Sequence, residues 1–410
     1  MVKMQDVVVI DACRTPIGKA RPDGYYANTR ADDLVIAVIC ALMERNPQVK
    51  PGMINDNRWG ATTITEETGM TMGRATALAA GLGVETPGCA LDRMCASGMT
   101  MIADGCHAIA CGMGDIMIAG GVEHMYRFPM GYNARPNAKM MNAKLPDGSK
   151  LDFRAAGSMG LTAENVAKKY GITREEQDQY AFNSQQMAKV AMEAGKLKDQ
   201  IIPMEVVISD KEGNKEKRVV DTDQQPRPGT TMEKLGSLKP AFIKSKKKGG
   251  SVTAGNSSGL NDAAGGVLLM SADKAKELGC VPKMKFISSG LAGVDPAFMG
   301  EGPIPATRMA LDRAGLKIDD IGIYELNEAF ASQSICNISE LKINQEITKV
   351  NPWGGSIAYG HPLGMSGARI VAFLKDEFAD PEFKDVQYGI TAMCVGMGQG
   401  YAMIWENLQK

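Results

Sequence analysis

Segments typical of buried strands alternate with segments typical of amphipathic helices, and this alternation occurs in two separate stretches of the chain. In the first stretch, the β-branched run VVVIDA at 7–12 precedes ADDLVIAVICALMERN at 31–46, whose apolar residues recur at helical spacing. The helical pattern returns at 96–112, and DIMIAGGVE at 115–123 is typical of a strand that ends in glycines. Strands that alternate with helices predict the α/β class, with a parallel or mixed sheet.

The region from 125 to 253 has a different character, with more proline, lysine and methionine and a polar, charged stretch. Thr173 and Glu176 form a capping box ahead of an amphipathic helix. We interpret this region as an inserted loop domain. It divides the first α/β unit into residues 1–124 and 254–281, and the second unit covers 282–410.

The two α/β units also share a layout. The segment ALDRMCASGMTMIADGC at 90–106 is similar in pattern to NPWGGSIAYGHPLGMSGARIVAFL at 351–374, although the letters differ. The shared pattern predicts two copies of one structural unit.

Charge and cysteine usage exclude several classes of function. The chain has 46 basic and 47 acidic residues and a net charge of -1, which favours neither nucleic acid nor an anionic membrane as a partner. No segment approaches the roughly 18 continuous apolar residues of a membrane span. The nine cysteines include no C-x-x-C pair, and with only three histidines a structural zinc site or a disulfide framework is not expected. We expect a cytoplasmic protein with reduced thiols.

Cys95 is the first candidate for chemistry. It lies in DRMCASGM at 92–99, just before a predicted helix begins. The partial positive charge at a helix N-terminus stabilises a thiolate, so we expect a lowered thiol pKa. A buried, inert cysteine is the commoner role for this residue type, but the following Ser-Gly also permits a tight strand-to-helix turn.

His361 is the second candidate, because glycines and prolines surround it in NPWGGSIAYGHPLGMSGARI. A neutral imidazole can accept a thiol proton and then donate to an oxyanion. His107 lies in the helix after Cys95 and is predicted to be packed against neighbouring residues. His124 follows the GGVE turn and stays a candidate for a functional role. Asn327 is the first residue of NEAFA. One interpretation is that its side chain orients a water molecule or the imidazole, and the alternative is that it caps the following helix.

Cys394 lies in MCVGMGQGYAMI at 393–404, together with a G-x-G-x-G turn. The apolar run after the turn is typical of a strand and not of a helix, so the context of a dinucleotide-binding fingerprint is missing. Glycines beside a cysteine instead suit backbone amides that point into a site as an oxyanion hole.

At these four segments the chain resembles the thiolase family, and the resemblance extends from R-T-P near residue 14 to the last strand. It implies two βαβαβαββ halves in five α/β layers, with the loop domain covering CoA. It further implies coenzyme A as a substrate, no tightly bound cofactor or metal, and a homodimer or homotetramer.

The resemblance also implies roles for individual residues. Cys95 would attack the keto carbonyl of a 3-ketoacyl-CoA while His361 accepts its proton. Cys394 would protonate the acetyl-CoA enolate and then deprotonate the incoming CoA. One oxyanion hole would consist of His361 and a water held by Asn327, and the other of the amides of Cys95 and Gly396.

The family pattern implies a set of residues that contact CoA. Arg227 would lie beside the adenine and Ser258 beside the pantetheine, although a surface arginine and a turn serine are the ordinary alternatives. The implied set is Met159, Arg227, Phe242, Ala254, Ser258, Gly259, Ala329 and Phe330.

Three positions depart from the usual pattern: Asp92, Trp353, and Ser158 where short-chain biosynthetic thiolases have histidine. GGVEHMYRFPM at 120–130 is similar to degradative thiolases, including the thiolase subunit of bacterial fatty-oxidation complexes. We therefore expect a 3-ketoacyl-CoA thiolase of fatty-acid β-oxidation, which could have a partner subunit. The alternative is an acetoacetyl-CoA thiolase that condenses two acetyl-CoA molecules.

Two more distant alternatives fit less well. A ketoacyl synthase generally replaces the second cysteine by histidine or asparagine, and a non-catalytic carrier would be expected to lose one of the three reactive residues. Lysines at 244 and 246–248 either add charge near the CoA 3′-phosphate or belong to a solvated loop.

Overall fold

The computed structural model describes residues 4–209, 213–243 and 249–410. Its β-strands follow the alternation expected from the sequence. The strands are β1 Val7–Arg14, β2 Gly18–Lys19, β3 Asp56–Gly60, β4 Gly88–Leu91, β5 Ile116–His124, β6 Met204–Ser209, β7 Lys215–Val220, β8 Asn261–Ser271, β9 Met284–Gly293, β10 Ile321–Leu326, β11 Lys349–Val350, β12 Tyr388–Val395 and β13 Gln399–Asn407.

Helices connect most of these strands. The helices are α1 Ala31–Arg45, α2 Met72–Ala79, α3 Ser97–Ala110, α4 Phe153–Ala156, α5 Met159–Tyr170, α6 Arg174–Glu193, α7 Met232–Ser237, α8 Ala272–Leu278, α9 Pro303–Ala314, α10 Ala331–Glu340, α11 Ser356–Tyr359 and α12 Ser366–Ala379.

The main sheet repeats one strand order twice, which confirms the two pseudo-repeated halves. In the first half the order is β1-β8-β5-β3-β4, and in the second half it is β9-β13-β12-β10-β11. The pairings also correspond, because β3 is parallel to β4 and β5 while β10 is parallel to β11 and β12. Only two residue pairs between β1 and β9 join the halves edge to edge.

Two helices lie between the half-sheets. Met99 and Ile102 of α3 share one buried apolar cluster with Val371 of α12, Val267 of β8 and Met403 of β13. Each such side chain contributes roughly 1.5–3 kcal/mol through burial. Separate clusters pack α1 against the outer face of the first half-sheet and α9 against that of the second. Three helical layers therefore alternate with two sheet layers, which gives the five layers that the resemblance implied.

The segment between β5 and β8 carries α4 to α7 and the hairpin of β6 and β7. The capping box predicted at the start of α6 is present, with the Glu176 carboxylate 2.7 Å from the Thr173 amide. Arg14 of β1 binds Asp223 through two buried hydrogen bonds of 2.7 and 2.8 Å, which anchors this segment to the first half. The exact domain boundaries remain a prediction.

Candidate active site

A short turn between β4 and α3 presents Cys95. Met94 has a left-handed backbone with φ 47°, a conformation that costs about 1–2 kcal/mol for a residue with a Cβ. The Asp92 carboxylate accepts a hydrogen bond from the Met94 amide at 2.7 Å, which holds the turn closed. Cys95 is 6% exposed and lies in the apolar cluster between the two half-sheets.

The electrostatics of Cys95 differ from the sequence expectation. Burial raises the pKa of the Cys95 thiol to about 12, although the Gly396 peptide N–H donates to the sulfur and acts in the opposite direction. The negative charge of Glu123 raises this pKa further. The expected lowering by the helix N-terminus is therefore wrong for the free protein, because desolvation outweighs it. The thiol is protonated at neutral pH and needs a base.

His361 has the form that such a base requires. Burial, followed by the nearby Arg369, lowers the pKa of the imidazole to about 3, so the ring is neutral. Its Nδ1 lies 2.6 Å from Ser366 Oγ, and that hydroxyl donates to the Pro362 carbonyl at 2.9 Å. Because the only hydroxyl proton is used there, Nδ1–H donates to Ser366 and the lone pair lies on Nε2.

Asn327 lies beside the free nitrogen of His361. Its Nδ2 is 3.4 Å from His361 Nε2, and its Oδ1 accepts a 2.5 Å hydrogen bond from Ser356 Oγ. Arg369 in turn donates to Ser356 Oγ at 3.0 Å, so the serine proton must point at Asn327. This chain of bonds orients the Asn327 amide with its N–H groups toward the imidazole.

The hairpin of β12 and β13 places Cys394 close to Cys95. Cys394 is fully buried, and burial followed by the charge of Cys95 raises its pKa well above the ordinary value. Gly396 lies in the turn, followed by Met397 with φ 63°. The sequence-predicted strand after this turn is present as β13. The structure therefore brings Cys95, Cys394 and Gly396 together.

A cavity of about 390 Å³ opens at Cys95 and His361. This volume lies within the range typical of ligand pockets. Most of its remaining wall is apolar or glycine. Among the residues implied as CoA contacts, those that line it are Met159, Phe242, Ser258, Gly259, Ala329 and Phe330.

A second cavity of about 350 Å³ adjoins the first, since Ser257 lines both. Its wall contains the other two implied contacts, Arg227 and Ala254, together with Lys234. Burial lowers the pKa of the nearby Lys19, and the charge of Arg227 lowers it further. The second cavity therefore has a cationic rim suited to an anionic ligand.

Several functional candidates lie apart from these cavities or outside the described residues. His107 packs against Phe286, and His124 is buried with its Nε2 3.0 Å from the carbonyls of Tyr26 and Thr29. The lysines at 244 and 246–248 lie outside the described residues. In the part of the chain that is described, no group of three or more His, Cys, Asp or Glu could hold a metal ion, and no helix is long and apolar enough to cross a membrane.

Sequence reasoning missed the residues that position the imidazole and the amide. Ser366 and Arg369 were inside the quoted motif around His361, but spacing alone does not show which side chains contact each other. No sequence pattern singled out Met130 and Leu363, which line the cavity. The same holds for Glu123, whose carboxylate accepts a hydrogen bond from the Gly364 amide next to Leu363.

Comparison with known proteins supplies an independent assignment. Among curated relatives, the chain is 43% identical over 410 residues to a Marinobacter nauticus protein named 3-ketoacyl-CoA thiolase, covering 98% of this chain and 99% of that protein. It is 44% identical over 406 residues to a protein of the same name from Idiomarina loihiensis, covering 99% and 100%.

Solved structures agree with the relatives. The crystal structure of human mitochondrial 3-ketoacyl-CoA thiolase has a TM-score of 0.85 and 33% identity, covering 99% of this chain and 100% of that chain. The crystal structure of the Bacillus anthracis acetyl-CoA acetyltransferase also has a TM-score of 0.85, with 36% identity and full coverage of both chains.

Family models give the assignment directly, because they span both halves of the fold. The model described as thiolase, N-terminal domain, matches residues 7–273, and the model described as thiolase, C-terminal domain, matches residues 280–407. With two matched domains and relatives similar over its whole length, this chain belongs to the thiolase family.

Proposed function

We propose that the protein is a 3-ketoacyl-CoA thiolase, which cleaves a 3-ketoacyl-CoA with CoA into acetyl-CoA and a shortened acyl-CoA. The observation that carries the proposal is a single cavity whose wall contains the Cys95 thiol and the neutral His361 imidazole and which adjoins a cationic second cavity. Members of this family are acyltransferases with CoA as a substrate, and the relatives from M. nauticus and I. loihiensis carry the same name.

The first half of the reaction forms a thioester on Cys95. His361 Nε2 takes the thiol proton as the sulfur attacks the 3-keto carbon, so no free thiolate is required. The bond between carbons 2 and 3 then breaks. Its electron pair passes to the acetyl-CoA fragment as an enolate, and the acyl group stays on Cys95.

The second half releases the products. Cys394 donates its proton to the enolate carbon, which completes acetyl-CoA. The Cys394 thiolate then takes the proton of an incoming CoA thiol, whose sulfur attacks the acyl-Cys95 thioester and restores the Cys95 thiol through His361. The closeness of the two buried cysteines supports this shuttle.

Two groups of donors would stabilise the oxyanions. The Gly396 amide already donates to the Cys95 sulfur, so with the Cys95 amide it is placed to receive the oxygen of a thioester on that sulfur. His361 and a water held by the oriented Asn327 amide would stabilise the enolate. Each donor contributes on the order of 3 kcal/mol to lowering the barrier.

The cavity wall favours the degradative sub-class. Ser158 lies in the wall where short-chain biosynthetic thiolases have a histidine, and Met130, Leu260 and Leu363 add apolar surface for an acyl chain. A role in fatty-acid β-oxidation in the cytoplasm follows as part of the proposal. The second candidate is an acetoacetyl-CoA thiolase, which the likeness to the B. anthracis acetyl-CoA acetyltransferase supports.

A homodimer or homotetramer is also part of the proposal, with a fatty-oxidation partner subunit as a further expectation. Strand β4 lies at one edge of the main sheet and is only partly buried, and Met94 beside it is 38% exposed. An open edge with adjacent apolar surface favours pairing with another chain. Sedimentation velocity would test the oligomeric state.

The decisive test is CoA-dependent cleavage of short-, medium- and long-chain 3-ketoacyl-CoA substrates by the wild type and by Cys95→Ala. We expect cleavage by the wild type and a loss on the order of 10⁶ in kcat for the variant, because the nucleophile is removed. Cys13→Ala is the matched control, since Cys13 is buried in β1 away from the cavity. A wild type that cleaves none of the substrates would refute the proposal.

A further inference from the structure

Glu123 is a buried carboxylate that the proposed chemistry does not use. It lies near the end of β5 and is 2% exposed. Its Oε2 accepts hydrogen bonds from the Gly364 amide at 2.7 Å and from the Thr62 amide at 3.1 Å. The largest influences on its charge are burial, the Gly364 and Thr62 amides, the Thr62 hydroxyl and the negative charge of Asp92. Peptide N–H groups and the Thr62 hydroxyl therefore hold this carboxylate.

Its partner Gly364 comes from the opposite half of the fold, three residues after His361. The Gly364 peptide fits a slot formed by Gly98 in the first turn of α3 and Gly121 of β5, because a Cβ on either glycine would overlap the Gly364 carbonyl oxygen. A Cβ on Gly364 itself would lie 2.8 Å from the Val122 carbonyl oxygen. The slot thus joins the loop that carries His361 in the second half directly to α3, the helix that follows Cys95 in the first half.

We propose that Glu123 is a positioning residue for the thiolase reaction: its ionised carboxylate holds the Gly364 peptide in the slot and so fixes His361 relative to Cys95. The proposal rests on the proposed function for its kinetic tests. Hydrogen bonds from peptide N–H groups to a charged acceptor are roughly twice as strong as neutral ones, so ionisation of the carboxyl strengthens the attachment.

The surroundings of Glu123 oppose its negative charge. Burial raises the pKa of the carboxyl from 4.5 to about 7, while the Gly364 and Thr62 amides act in the opposite direction. The titratable groups that face it are Asp92, whose charge raises this pKa, and Cys95 in the turn before α3. Near pH 7 Glu123 therefore changes between an ionised form, which binds the Gly364 amide strongly, and a protonated form, which binds it more weakly.

This pKa direction predicts opposite effects on activity and on stability. Since the folded state favours the protonated carboxyl, the stabilising contribution is present below about pH 4.5 and is lost as pH rises through about 7. Activity, in contrast, requires the ionised form and falls as pH drops through about 7. Glu123→Gln therefore should melt no lower than the wild type above pH 7 while being less active.

The kinetic test compares Glu123→Gln with the wild type across pH. In Glu123→Gln we expect kcat for 3-ketoacyl-CoA cleavage to fall about tenfold with KM within about twofold of the wild type. The acidic limb that the wild type shows near pH 7 in its pH–rate profile should disappear. Glu123→Asp keeps the charge and should keep the limb at lower kcat. Glu67→Gln is the matched control, because Glu67 is a buried glutamate that accepts a hydrogen bond from the Ala31 amide at 2.9 Å and lines neither cavity.

A readout without substrate separates this inference from the proposed function. Amide hydrogen exchange at Gly364 should rise at least tenfold in Glu123→Ala and stay unchanged in Glu67→Gln. Wild-type protection of Gly364 in Glu123→Ala, or an acidic limb that persists in Glu123→Gln, would overturn the role of Glu123. A wild type that cleaves no 3-ketoacyl-CoA would refute only the proposed thiolysis, since the exchange measurement still decides.

Discussion

The same position in the two halves of the fold holds two differently built turns. In the first half, residues 92–96 connect β4 to α3 and carry the proposed nucleophile Cys95, while in the second half residues 351–365 connect β11 to α12 and carry the proposed base His361. Each helix begins with a serine, Ser97 in α3 and Ser366 in α12. The duplicated topology therefore supplies both of the proposed reactive groups, but the local construction differs.

In the nucleophile turn, the side chains that hold the turn bind its backbone and not the proposed nucleophile. Ser97 Oγ accepts from the Arg93 amide at 2.9 Å and donates to the Met94 carbonyl at 2.7 Å, so the serine closes the turn and touches no reactive atom. Strained Met94 directly precedes Cys95. A thiol has a single sulfur on one rotatable bond, so a fixed backbone is sufficient to place it.

In the base loop (residues 351–365), side chains instead bind the functional side chains themselves. Ser366 bonds the ring of His361, and Ser356 bonds the amide of Asn327. An imidazole has two distinct nitrogens, and an amide has two distinct ends, so both must be oriented as well as placed. The difference teaches that the longer loop provides room for these orienting side chains.

The largest expected effect among the orienting and proton-transfer residues comes from His361→Ala. We expect kcat for 3-ketoacyl-CoA cleavage to fall about 10³-fold, because a thiol whose pKa burial raises to about 12 would lose its base. Since the pKa of His361 is lowered to about 3, the imidazole stays neutral from pH 5 upward and contributes no acidic limb there. Steady-state kinetics across pH measure both points.

A result against this prediction would also change the comparison. If His361→Ala kept kcat within about tenfold of the wild type, Cys95 would be activated by its turn alone, and the side-chain network of the second half would have no catalytic purpose. His107→Ala serves as the control, because that histidine packs against Phe286.

Asn327→Ala should have the next largest effect. The variant removes the amide that would hold the water of the enolate oxyanion hole, so kcat should fall about 10²-fold with little change in the KM for CoA. Ser356→Ala leaves the amide in place without its 2.5 Å bond and should cost less. Equal losses in the two variants would mean that orientation, not the amide itself, carries the effect.

Local signals in the sequence predicted the two halves and the residues that lie together in the candidate site, whereas the five layers were implied by the family resemblance. Strand and helix periods gave the halves and their repeat, and four motifs gave Cys95, Asn327, His361 and Cys394, which the structure brings together. Implied CoA contacts also line two adjoining cavities. These features follow from short segments whose pattern is visible in one dimension.

Long-range electrostatics could not be predicted in this way. A helix N-terminus beside Cys95 suggested a lowered thiol pKa, but desolvation depends on the whole apolar cluster between the half-sheets and reverses the direction. Likewise Trp353, a departure from the family pattern, packs against Phe373 in a buried cluster and lines neither cavity. The slot around Gly364 needs three segments that are distant in sequence.

The smallest expected effects come from the matched serines, and they test the comparison directly. Ser366→Ala removes the acceptor that fixes the proton on His361 Nδ1, so kcat should fall about tenfold. Because this buried serine also makes two hydrogen bonds, the free energy of unfolding should fall by about 1–2 kcal/mol. Ser97→Ala removes two hydrogen bonds to the turn backbone, so the free energy of unfolding should fall by about 1–2 kcal/mol while kcat changes less than about threefold. Urea unfolding and thiolysis kinetics on the two variants give the pair of numbers. If instead Ser97→Ala lowered kcat as much as Ser366→Ala, the placement of Cys95 would depend on an orienting side chain as that of His361 does, and the two halves would share one mode of construction.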